Sequence, residues 1–286
     1  MNAPSSTPTV PANVAMASPP VDPLFLATPK ISTFQGEQSL TNASGFFFQR
    51  GERLFLATSR HVFIDEDSDH RPDRIEITLH LDAKDLTRCT GYSMLLYADG
   101  TAMWRQGMDS GGDIDVAVLE IEREALPQEA VLFAFTPEHL IRDFGAVPVD
   151  ATLFIVGFPL GFQDEVHQLP VLRRAAIASP FGIRFQGQGM FLTDGRAHRG
   201  ISGAPVVMRD TGPATGALPW RLLGIHSSRL DMGNRDQALD ESLGLNGAWY
   251  ADILLTLTQD PPAPAPAPAA PAGPAASGKP PSKAPA

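Results

Sequence analysis

Residues 24–260 read as an all-β fold, a sandwich or barrel. Two observations predict it. Short runs rich in Phe, Leu, Ile and Val recur at close spacing, and turn residues rather than helical periods separate them. Phe46-Phe47-Phe48 and Leu54-Phe55-Leu56 flank Gln49 to Glu52, with Gly51 placed for the turn, which is a hairpin signal. Further strands are expected in RIEITLHL (74–81), YSMLLYADGTAMW (92–104), DVAVLEI (115–121), ATLFIVGFPLG (151–161), GMFLTD (189–194), APVVM (204–208) and RLLGIHS (221–227). Helices are few and short: PEHLIRDFG (137–145), with Gly145 as a C-terminal stop, and WYADILLTLTQ (249–259).

The ends have a different character. Residues 1–23 hold six prolines, and residues 261–286 hold ten Pro and ten Ala out of 26. Such segments bury too little apolar area to offset ordering entropy, and they favour extended polyproline conformations. They are expected to be disordered spacers flanking one folded unit, 24–260.

A net charge of -10 and a pI near 5.1 argue against nucleic acid or an anionic membrane as partner, because both require basic surface. Cys89 is the single cysteine, so no intrachain disulfide forms, as suits a reducing compartment. The N-terminal MNAPSSTPTVPANVAMASPP has no Lys or Arg and no unbroken apolar run, so it does not read as a signal peptide. No stretch approaches the roughly 18 apolar residues that span a bilayer. A cytoplasmic location is the expectation.

Metal motifs are missing: there is no His-Glu-x-x-His and no Cys-x-x-Cys. Asp65-x-Asp67-x-Asp69 imitates a calcium loop, but His70 stands where glycine is needed and Pro72 interrupts it. No metal and no organic cofactor is expected.

Three segments carry chemistry. Thr58-Ser59-Arg60-His61-Val62 follows an apolar strand. Asp113-Ile114-Asp115-Val116-Ala117-Val118-Leu119 places an acid at the mouth of another, and Gly200-Ile201-Ser202-Gly203-Ala204-Pro205 sets a serine between glycines. In chain order they supply His, Asp and Ser. A serine hydroxyl needs a base to become nucleophilic, and neutral imidazole serves near pH 7. A buried carboxylate fixes the imidazole tautomer. Asp115 abuts the apolar strand directly and is preferred for that role; Asp113 is its rival.

LATSRHV, DIDVAVLEI and GISGAPV resemble, in this order, the three motifs of trypsin-like serine peptidases of the chymotrypsin fold. FIVGFPLG (154–161) resembles a strand-turn of bacterial members such as the HtrA-like group. The likeness covers about residues 40–255. It implies two six-stranded antiparallel β-barrels with the site in the cleft between them, His61, Asp115 and Ser202 as a triad, and an oxyanion hole from the amides of Gly200 and Ser202. The partner it implies is a peptide or protein substrate; the oligomeric state is left open. A non-catalytic peptide-binding module on the same fold is the alternative reading.

The same likeness extends to specificity. Leu222-Leu223-Gly224-Ile225-His226-Ser227-Ser228 resembles the strand that pairs with substrate backbone, giving Ser227 and Ser228 main-chain contacts. Its Gly-Ile-His form is similar to glutamyl endopeptidases and picornavirus-type cysteine proteases, where this histidine meets a Glu or Gln at P1, the residue before the cut. That implies an acidic or amide P1 preference, with Arg199 nearby as a further substrate contact. Those families supply Thr or Ser where this chain has Ala197. Arg196 aligns with the position at which trypsins carry an aspartate, so a Lys/Arg preference is not expected.

Overall fold

The computed structural model describes residues 20–212, 217–229 and 244–260. Its N-terminal half runs β1 (Lys30–Gln35), β2 (Gln38–Ser44), β3 (Phe46–Arg50), β4 (Arg53–Thr58), the single-turn α1 (Arg60–Phe63) and β5 (Arg74–His80). It continues through β6 (Cys89–Leu95), the small hairpin β7 (Tyr97–Ala98) and β8 (Thr101–Ala102), β9 (Trp104–Asp109) and β10 (Gly112–Ile121). The C-terminal half holds β11 (Thr152–Gly157), β12 (Val171–Ala176), β13 (Met190–Thr193), β14 (Pro205–Arg209), β15 (Trp220–Arg229), β16 (Asn246–Tyr250) and α2 (Ile253–Leu257).

The first half consists of two four-stranded sheets, ordered β2-β1-β5-β6 and β3-β4-β10-β9. Only Gly45 separates β2 from β3, so one continuous segment passes through both sheets and wraps them round a shared interior. Ile31, Phe47, Leu54, Leu56, Phe63, Ile75, Ile77 and Leu119 fill it. In the second half six strands follow the order β12-β11-β14-β15-β16-β13. An Ile177–Thr193 bridge and a bond from Ala178 N–H to Leu192 O return β13 to the end of β12 and close that barrel. Two antiparallel barrels of the chymotrypsin-like kind result, as the motifs imply.

The Phe46-Phe47-Phe48 run makes sense between these barrels. Side chains alternate along a strand. Phe47 points into the first barrel, while Phe46 and Phe48 join Phe55, Val116, Val156, Val207, Ile225 and Trp249 in the layer between the two. All three rings are at most 2% exposed. Truncating one to alanine costs about 3–5 kcal/mol.

The expected hairpin forms, with Phe46 to Arg50 paired on Arg53 to Ala57 and Gly51 at φ +58. Three expectations change. The 249–259 helix begins only at Ile253 and ends at Leu257, because Trp249 and Tyr250 pair in β16 against β13 and β15. The 92–104 strand is broken, because Asp99-Gly100 folds back between β7 and β8. The 137–145 helix is reduced to isolated 3-10 turns at Pro137–His139 and Phe144–Ala146, since Leu140 extends to bridge Leu222 of β15. Strands β1, β2, β12, β16 and all of β9 beyond Trp104 lie outside the runs expected as strands. Asp22 and Pro23, read from composition as part of the Pro-rich end, are packed. Asp22 accepts from Trp220 Nε1 and Arg209, both at 2.9 Å, a link that spans the chain and leaves no local trace. Residues 1–19 and 261–286 of the two Pro-rich ends lie outside the described residues. No helix among the described residues is long and apolar enough to cross a membrane.

Candidate active site

His61 sits in α1, one turn that begins where β4 leaves the core. Val62 and Phe63 are buried beneath it, so the short helix is pinned despite its length. Asp115 comes from β10. Against β9 that strand loses register between Ile114 and Ala117, a bulge that places Asp115 and Val116 opposite no partner. Bulges re-aim side chains in this way. Asp115 turns to His61: its Oδ2 lies 2.8 Å from Nδ1, and its Oδ1 accepts from the His61 backbone N–H at 2.9 Å. Asp113, the rival, is exposed on the same strand.

Ser227 Oγ also donates to Asp115 Oδ2, at 2.5 Å. Burial disfavours charge on Asp115, but the His61 and Ser227 hydrogen bonds and the His61 charge outweigh it and hold the carboxyl below its usual range. Burial likewise disfavours charge on His61, and the bond and charge of Asp115 overcome it, leaving the imidazole pKa raised.

Ser202 lines the same cleft as His61, Arg199 and Gly200, a groove of about 660 Å³ that also borders Leu40 to Ala43 of β2. Its hydroxyl donates to Ser227 O at 3.2 Å.

The flanking glycines have distinct tasks. Gly200 has φ +87 and Gly203 φ +83, a region costly to side chains. A Cβ on Gly200 would stand 2.6 Å from Phe158 O, and one on Gly203 would overlap Thr58 Oγ1 and Ser44 O. Arg199 O accepts from Leu160 N–H and Ile201 O from Ala204 N–H. In a trans peptide the N–H points opposite to the preceding carbonyl. The amides of Gly200 and Ser202 therefore face away from those partners, and among the described residues neither has an acceptor. Both are therefore unbonded backbone donors on the loop that carries Ser202.

The remaining expected residues are placed as follows. His226 is buried, 1% exposed, and is not part of the cleft lining; its Nδ1 has no partner among the described residues. Burial, with the neighbouring His61 charge, lowers its pKa to about 4 despite the opposing field of Asp115, so the imidazole is neutral. Ser228 is exposed at the end of β15, and residues 230–243 that follow are outside the described set. Arg199 is exposed at the cleft. Arg196 is exposed rather than at a pocket floor, while Ala197 is buried.

Motif reading missed Ser44, Thr58 and Ser59 as contributors. Ser59 Oγ donates to His226 O at 3.1 Å and Thr58 Oγ1 to Ser44 O at 2.8 Å. Thr58 and Ser59 stand inside the His61 motif, so adjacency was the available signal; Ser44 offered none.

A family model described as a trypsin-like peptidase domain matches residues 43–216. The crystal structure of a serine endoprotease from Yersinia pestis is similar at 15% identity and TM-score 0.46, over 81% of this chain. The chain spans 61% of that protein. No curated protein matches.

Proposed function

Since the chain belongs to the trypsin-like peptidase domain family, we propose that it is a serine endopeptidase acting on peptide or protein substrates. The observation that carries the reading is the doubly bonded His61–Asp115 pair sharing one cleft with Ser202. Ser202 Oγ attacks the scissile carbonyl as His61 Nε2 takes its proton. The carbonyl oxygen becomes an oxyanion held by the amides of Gly200 and Ser202. His61 then protonates the leaving amine, and an acyl-serine ester remains. Water, deprotonated by the same imidazole, hydrolyses that ester and frees Ser202. Asp115 stays ionised throughout and supports the imidazolium.

For specificity, the reading is a Glu or Gln at P1 and rests on the Gly-Ile-His likeness; neutral His226 lies behind the cleft lining and has to be uncovered by substrate before it can bond the side-chain oxygen. Ser227 and Ser228 present backbone to an extended substrate, and Arg199 adds positive charge at the cleft. Folded region 24–260 carries the whole site.

The test pairs a fluorophosphonate probe with a diverse peptide library, using wild type and Ser202→Ala. Labelling and cleavage by wild type alone, with Glu or Gln enriched at P1, is the expected result. A wild type inert to probe and library supports the non-catalytic peptide-binding module instead. Cleavage after Lys, Arg or aromatic residues overturns the P1 assignment alone. His226→Leu is expected to keep phosphonate labelling and lose the P1 preference.

A further inference from the structure

We propose that Ser44 is a positioning residue that holds the Ser202 loop in its oxyanion-binding shape, a role that rests on the peptidase reading above. Ser44 ends β2 in the N-terminal barrel and is fully buried. Its N–H donates to Ser202 O at 3.0 Å. Its Oγ donates to Gly200 O at 2.9 Å and accepts from Phe158 N–H at 2.9 Å. Its own carbonyl is fixed by Thr58 Oγ1 at 2.8 Å. One residue of the first barrel thus ties down two carbonyls of the nucleophile loop in the second.

The direction of the amides follows from these bonds. Arg199 O is held by Leu160 N–H, and Leu160 belongs to the turn that begins at Phe158, whose N–H rests on Ser44 Oγ. Leu160 is itself at φ +56, a conformation that a non-glycine residue keeps only when its surroundings impose it. The hydroxyl therefore acts on the 199–200 peptide through the turn and on the 200–201 peptide directly. Both peptides adjoining Gly200 Cα are set, and with them the aim of the Gly200 N–H.

The fold makes room for this hydroxyl and little else. A Cβ on Gly157 would collide with Ser44 Oγ and come 3.2 Å from the Ala204 Cβ. With alanine at 44, a buried N–H and a buried carbonyl lose their shared partner, and such groups relax by finding water or another bond. Here relaxation means rotating the peptides that present the oxyanion donors. A serine that only stabilised the fold would change melting temperature and leave the chemistry of folded molecules alone.

The experiment uses the full chain as Ser44→Ala, Ser44→Gly and the control Thr28→Ala, which also removes a buried hydroxyl, the donor to Leu24 O at 3.1 Å. Each is studied below its melting temperature by saturation kinetics of fluorophosphonate labelling and by hydrogen exchange over residues 158–161. Both Ser44 variants are expected to lose about 10- to 100-fold in the maximal labelling rate, with the half-saturating concentration within about twofold of wild type. They should also exchange faster at 158–161, and Thr28→Ala should do neither. Unchanged labelling rate in the folded Ser44 variants overturns the proposal. If wild type itself is not labelled, the peptidase reading fails, and exchange decides alone: wild-type protection at 158–161 in Ser44→Ala overturns the clamp, and faster exchange there supports it.

Discussion

Asp115 holds His61 at two points, Oδ1 on the backbone N–H and Oδ2 on ring Nδ1, at 2.9 and 2.8 Å. A single contact would restrain the ring; two contacts from one carboxylate also fix the helix turn that carries it. The tautomer follows, with the proton on Nδ1 and the lone pair of Nε2 left free, as the proposed proton transfer from Ser202 requires.

Asp115→Asn preserves size while offering an amide where the ring proton needs an acceptor. Turnover should fall about 10³- to 10⁴-fold, the scale at which the wrong tautomer acts in serine peptidases. Asp113→Asn removes an exposed charge and should stay within about twofold of wild type. Steady-state kcat of the two variants on one peptide substrate checks both; the reverse ranking would reassign the acid.

The pH profile should carry the mark of the pair. Activity needs neutral His61, and Asp115 raises the imidazole pKa above its ordinary 6.5, so the rise of kcat/KM has its midpoint above that value. In Asp115→Asn burial acts without its counterweight, and the midpoint moves down.

Stability has two opposing limits. The raised His61 pKa stabilises fully below 6.5, and this is lost as pH climbs through the folded value. The lowered Asp115 pKa stabilises above 3.8 and is lost as pH falls through its folded value. Wild type should therefore exceed Asp115→Asn in melting temperature most clearly between those values. Buried His226, with its pKa near 4, costs both proteins stability as the solution acidifies and largely cancels in the difference. A melting-temperature difference that is flat from pH 3 to 8 would contradict the ion pair.

Gly203→Ala asks for a Cβ in space occupied by Thr58 Oγ1 and Ser44 O, on a backbone at φ +83. The contacts are main chain and a tightly bonded hydroxyl, neither free to withdraw. A loss of more than about 3 kcal/mol is expected, with failure to accumulate as folded protein if the margin is exceeded. Denaturant melts of this variant beside Gly36→Ala, where a Cβ meets no neighbour but φ is +56, separate overlap from backbone strain.

The all-β class, the 46–58 hairpin and the order of the His61, Asp115 and Ser202 segments were legible because each is local. Alternation, turn glycines and short motifs are properties of neighbouring residues. The 137–145 helix failed for the complementary reason, since a pairing of Leu140 with distant Leu222 outweighs a weak helical tendency.

What tertiary structure alone decided was aim. Asp115 surpasses Asp113 because a bulge against β9 turns it to His61, and a register shift between strands is a relation between segments, not a pattern within one. Ser227 reaches Asp115 from 112 residues away, and Ser44 reaches Gly200 across 156. Hydrogen bonds depend on angstroms and angles that no spacing encodes. The sequence by itself determined which residues are available to the site; closing two barrels against each other determined which of them touch.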